Sequence, residues 1–267
     1  MLRAVTAILV AVRATTAIAS DGPPPPEPVD ATARYEVRWT GLTVGEILVN
    51  VKTDASGRAL RLDSRTAGAL DWFFTYRSTI TSTTGLEAGR PVTTRFAASR
   101  AFNDQEQDWS LTFDAAGRIL QGEISAEIAA EHEPVPPELQ HGPDPLAFAI
   151  DALARLGPGV NLQGDTFDGK RVLQLDIDCG VEREPVSPIP ETPQQPALAC
   201  RIGGELLAGA RKDDDDDDEE DERTGRERTV TARLVDNLIP GYAIPAIIQA
   251  ETRWGTVVTR LVEMTVR

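Results

Sequence analysis

Histidine and cysteine are scarce, with two of each in 267 residues. Neither a CxxC pair nor a histidine at ligand spacing is present, so a structural zinc site or a dithiol redox centre has no residues to form it. Catalytic signatures are missing as well: there is no Gly-x-Ser-x-Gly elbow and no Walker or dinucleotide glycine pattern. A Ser-His-acid triad needs an oriented imidazole. His132 and His141 fall in a link rich in proline and glutamate and read as solvated loop residues. Aromatic residues make up only 5% of the chain, which leaves few large side chains to anchor a flat interface. Cations are outnumbered, 27 Lys and Arg against 42 Asp and Glu, and a net charge of −15 lacks the basic footprint that nucleic acid or an anionic membrane surface requires. Ten of the acids run consecutively from Asp213 to Glu222, so the rest of the chain carries only −5. A cation loop of the EF-hand type spaces its acids around a turn glycine. Ten adjacent carboxylates instead favour an extended, solvated loop, here placed at 211–223. No metal and no cofactor is expected.

Long apolar runs are also absent after the first 19 residues, so no segment approaches the ~20 residues of a membrane helix. Those 19 residues carry Arg3, an apolar stretch from Ala4 to Val12, and Ala17-Ile18-Ala19 before Ser20, the layout of a secretory signal with a small-residue cleavage site. The expected location is the periplasm. Export makes Cys179 and Cys200 a candidate disulfide, one that would tie the ends of a proline-rich loop at 183–196. Residues 20–32, with Pro23 to Pro26 and Pro28, read as an extended linker, and 133–143 as a second proline-rich loop.

What remains, 33–267, is patterned as strands. Tyr35, Val37 and Trp39 alternate with Glu36 and Arg38, and Ile47, Val49 and Val51 repeat the period of two. Asp54-Ala55-Ser56-Gly57 and Asp114-Ala115-Ala116-Gly117 are turn signals between such runs, and Asp168-Gly169-Lys170 reads as a turn rather than a site. The alternation returns at Val172 to Asp178, Thr229 to Val235 and Thr252 to Val266. One helix interrupts it: Asp144 can cap, Pro145 suits the first turn, Leu146, Ile150 and Leu153 share a face, and Gly157-Pro158 stops it, which predicts a helix over 145–156. The pattern describes a single, mostly β domain, a meander of antiparallel strands with one central helix.

Tyr35-Glu36-Val37-Arg38-Trp39-Thr40-Gly41-Leu42-Thr43-Val44-Gly45 resembles the opening of a family catalogued as domain of unknown function 3108. Asp144-Pro145-Leu146 with its helix, and Phe167-Asp168-Gly169-Lys170-Arg171 leading into a strand, resemble that family's central helix and following turn, in the same order. The resemblance runs over roughly 33–266. It implies an exported protein of Gram-negative bacteria with a curved antiparallel sheet or barrel-like fold, and it brings no catalytic residue.

Without a catalytic set, binding is the functional class the sequence supports. A curved sheet can enclose an apolar lumen that holds a lipid or small apolar ligand. Trp39, Trp72, Phe74, Tyr76, Trp109 and Trp254 are the candidate lining, although each also reads as an ordinary core residue. The expected function is a non-catalytic carrier or binder of an apolar or amphipathic envelope component. The alternatives are a structural or assembly factor contacting another envelope protein, and an envelope hydrolase.

Overall fold

The computed structural model describes residues 28–87, 90–103, 105–212, 230–252 and 254–267. The segment expected to be a signal, most of the expected proline-rich linker and the acidic run lie outside the described residues.

Alternating side chains produce thirteen strands: β1 (Val29–Trp39), β2 (Leu42–Asp54), β3 (Gly57–Thr66), β4 (Tyr76–Glu87), β5 (Arg90–Phe102), β6 (Gln105–Phe113), β7 (Ile119–Ile124), β8 (Asn161–Phe167), β9 (Val172–Val186), β10 (Gln195–Ala208), β11 (Val230–Ile239), β12 (Tyr242–Thr252) and β13 (Gly255–Val266). β1 starts at Val29, so the first strand takes in the end of the predicted linker. Two α-helices, α1 (Ala126–Glu131) and α2 (Pro145–Arg155), and a short 3-10 turn at Pro137–Leu139 lie between β7 and β8. The strands form one antiparallel sheet in the order β7-β6-β5-β4-β3-β2-β1-β13-β12-β11-β10-β9-β8. The first and last strands of the chain therefore pair at its centre, Ala33 opposite Met264, and the two edges are consecutive in sequence. β7 and β8 do not pair, so the sheet is curved but unclosed. The connecting segment fills the seam: Arg118 bridges His141, and Phe167 N donates to Pro143 O along the outer edge of β8.

α2 lies within the curve, because its apolar residues face strands on several sides. Ile150, Leu146 and Leu153 join a core with β1, β2, β3, β12 and β13, while Ala152 and Phe148 join another built on β9 to β12. Its start follows the sequence signal. Asp144 accepts from the backbone N–H groups of Leu146 (2.9 Å) and Ala147 (3.1 Å), and Pro145 occupies the first turn. α1 is an addition to the single helix expected. It is a short helix whose Ser125 side chain caps Ile128 N, with Ile128 fully buried.

Cys179 and Cys200 are bonded, S–S 2.01 Å. They do not tie the ends of a loop, however. They face each other within the β9–β10 ladder, buried in the core, and pairing continues beyond them to Gln195 opposite Val186. Strands thus enter the predicted 183–196 loop from both ends and leave only 187–194 as the connection.

Candidate functional site

Short side chains on two facing elements leave space inside the sheet. The inward positions of β1 are Ala31, Ala33 and Tyr35, opposite Val51, Val49 and Ile47 of β2, which in turn face Leu60, Leu62 and Ser64 of β3. Across from them α2 presents Leu146, Ala149, Ile150 and Leu153, and β12 and β13 complete the wall with Ile244, Ile248 and Met264. Where alanine stands in place of valine or leucine on both sides, the layers do not meet, and a cavity of about 260 Å³ remains. Among the described residues only Tyr35, Arg61 and Thr259 in its lining carry polar side chains.

The charge among them is neutralised. Arg61 donates from Nε and Nη2 to the two carboxylate oxygens of Asp63, both at 2.7 Å. Tyr35 is only 7% exposed, and its hydroxyl has no hydrogen-bond partner among the described residues. Burial raises the phenol's pKa well above its ordinary range, so it stays a neutral donor at any physiological pH. An apolar chamber with the Tyr35 and Thr259 hydroxyls in its wall can hold an apolar body and orient a polar atom; among the described residues its lining assembles no base or metal ligand set. Among the described residues no cluster of His, Cys, Asp or Glu is arranged to bind a metal.

The six aromatic residues proposed from sequence lie elsewhere. Trp39, at the end of β1, donates from its indole to Trp254 O (3.1 Å), and these two are together at one end of the sheet. Trp254 is 67% exposed and Trp72, in the turn before β4, 90% exposed. The Trp72 segment is therefore a protruding tip rather than part of the core. Phe74 packs against Phe102, ring centroids 5.6 Å apart, with Tyr76 half-buried beside it. Trp109 is buried at the seam. None of the six lines the cavity beneath α2. Sequence reasoning missed Ala31, Ala33 and Ala149 because it ranked large residues first, and it read Tyr35 only as a strand residue. The available signal was a pair of alanines at successive inward positions of a strand otherwise built from large residues.

The seam is a second cluster of buried polar groups. Asp168 accepts from the backbone N–H groups of Lys170 (3.0 Å) and Arg171 (2.8 Å), which makes the expected turn, and its carbonyl accepts from the Trp109 indole at 2.8 Å. Lys170 is buried with Nζ 3.9 Å from the centre of the Trp109 ring, and burial pushes its pKa down to about 8. His132 corrects the sequence reading, since it is buried rather than solvated, with Nδ1 2.9 Å from Gly209 O. The loop around it is held against the end of β10 by Glu133 N to Ala210 O and Lys212 N to Glu131 O. His141 is exposed.

Burial, with the cations Lys170, Arg171 and Arg211 nearby, lowers the His132 pKa. The unfolded chain therefore binds a proton first, and stability falls as the pH drops through the unfolded value of about 6.5. Above that pH the contribution is constant. The expected result is that wild type loses thermal stability relative to His132→Gln between about pH 6.5 and 5; parallel melting curves across that range would remove His132 as the cause.

A family model described as "Protein of unknown function (DUF3108)" matches residues 34–262. No curated protein matches the chain. Among solved structures, the crystal structure of a beta-barrel-like protein of domain of unknown function DUF1849 from Brucella abortus is similar. It is 13% identical, with a TM-score of 0.52, over 90% of this chain and 98% of that one, a likeness of fold alone.

Proposed function

Because the chain belongs to the DUF3108 family, whose function is unknown, we propose its role from its own geometry: it binds an apolar or amphipathic molecule of the cell envelope in the cavity beneath α2, without chemistry. The observation that carries this reading is the cavity itself, about 260 Å³ walled by aliphatic side chains of β1, β2, β3, β12, β13 and α2. Apolar cavities of this kind stay dry and accept apolar guests. The signal pattern at 1–19 and the bonded cysteines support a periplasmic location, where such molecules are encountered. No catalytic family is indicated by the similar proteins.

The test is uptake of a neutral fluorescent naphthylamine by detergent-free protein, together with native mass spectrometry of the same preparation. Uptake that falls at least about tenfold in Ala149→Phe, with an unchanged far-ultraviolet spectrum, is the expected result. No uptake by wild type and a bare polypeptide mass would overturn the reading. A second reading draws on the exposed Trp72, Phe73 and Trp254, which suit contact between these tips and another envelope protein, as an assembly factor would make. In-cell crosslinking from position 72 tests it: one captured protein partner together with an empty cavity is its expected result.

A further inference from the structure

Tyr35 carries a polar atom that its place in the fold does not need. It stands on β1 between Ile47 of β2 and Leu261 of β13, and lines the cavity at 7% exposure. Phenylalanine would serve the packing equally, yet a hydroxyl is there with no partner among the described residues. The hydroxyl is not among the fully enclosed unpaired polar atoms of the described residues, so its oxygen is open to a partner from outside the protein. We infer that the cavity's ligand is a single-chain amphiphile with an uncharged polar group, an alcohol or an ester, whose oxygen accepts a hydrogen bond from the Tyr35 hydroxyl. This inference rests on the proposed binding role and specifies its ligand.

Three observations narrow the class. Volume sets the size: about 260 Å³ exceeds the roughly 150 Å³ of a cavity that takes benzene and falls short of the roughly 300–1,000 Å³ of drug-sized sites, so one aliphatic chain fits and a two-chain phospholipid does not. Charge sets the head group. Arg61, the one cation of the lining among the described residues, is committed to Asp63 through both Nε and Nη2, so a carboxylate ligand would be buried without a counter-ion. Protonation makes the contact possible, because burial keeps the phenol neutral with a proton it can donate to a ligand oxygen.

The experiment displaces the bound naphthylamine with decane, decanol and decanoate, on wild type and on Tyr35→Phe. Tyr35→Phe is expected to weaken decanol about fivefold, the worth of one neutral hydrogen bond, and to leave decane unchanged. Decanoate is expected to displace weakly from both proteins. Equal decanol affinity in the two proteins, with decane still displacing, would overturn the Tyr35 assignment while the cavity reading stands. Decanoate competing as well as decanol would overturn the uncharged head group. Failure of the naphthylamine to enter wild type at all would remove the binding role itself, and is thereby distinguished from the other two outcomes.

Discussion

Replacing Asp144 with alanine is expected to lower the stability of the whole chain by about 3–4 kcal/mol, far beyond the ~1 kcal/mol of an ordinary surface cap. The side chain is fully buried and accepts four hydrogen bonds: two from the first turn of α2, one from Ser82 Oγ of β4 at 2.6 Å and one from Thr93 Oγ1 of β5 at 3.0 Å. Alanine removes the cap, leaves the Ser82 hydroxyl and two N–H groups without their acceptor, and leaves the Thr93 hydroxyl only its long contact with the backbone N–H of residue 144, with both hydroxyls in buried residues. At roughly 2–4 °C per kcal/mol for a chain of this size, the melting temperature should fall by roughly 10 °C. Asp144→Asn keeps an acceptor for the helix and offers an amide that both hydroxyls can accept from, so it should cost less than about 1.5 kcal/mol. The charge leaves its own trace. Burial raises the carboxyl pKa, so wild type gives up stability as the pH climbs from about 4 through that raised value, and Asp144→Asn should not. Losses of only about 1 kcal/mol for the alanine variant would show that the ties to β4 and β5 carry nothing beyond the cap. The consequence reaches the site, because α2 is the wall that Asp144 fixes against the sheet: Asp144→Ala should also weaken naphthylamine uptake.

Much of this architecture is legible in the residues, and the exceptions have physical causes. Alternation at Tyr35 to Trp39 and Ile47 to Val51 announces strands because a half-buried strand must alternate. Asp144-Pro145 announces α2 because few residues combine a cap with a fixed first-turn φ. The reach of β9 and β10 past the cysteines was hidden by Pro185 and Pro196. The two face each other, and Pro196 lies beyond the last β10–β11 pair, Ala197 with Val235, so neither ladder needs the N–H that proline lacks. The cavity was hidden for a different reason. It is a mismatch between Ala31 and Ala33 on one strand and Ala149 on a helix more than a hundred residues away, and no local period records a distance between layers. His132 likewise reads as loop until the end of β10 is seen to cover it.

That covering also explains why one small residue governs the seam. Gly209 follows β10 with φ +84°, and a Cβ there would stand 2.0 Å from Lys170 O and 2.9 Å from the Arg171 Cα, so only backbone movement could relieve the clash. Its own carbonyl receives His132 Nδ1, and its neighbour Ala210 accepts from Glu133 N. Gly209→Ala therefore adds left-handed backbone strain of about 1 kcal/mol or more to an overpacking cost of about 1–3 kcal/mol. It should also part the turn at Asp168 from the loop at His132. Gly241, in the β11–β12 turn, is the internal control: φ is +78° but nothing lies within 4 Å of its added Cβ, so Gly241→Ala should carry the backbone strain alone. The expected difference is a melting temperature about 4–8 °C lower for the alanine at 209 than for that at 241. Hydrogen exchange should accelerate at Glu133 and Lys212, whose N–H groups close this seam, and leave the β1–β13 ladder protected. Equal melting temperatures would mean that β10 and the turn at Asp168 part without cost, and that the curved sheet holds its shape through α2 alone.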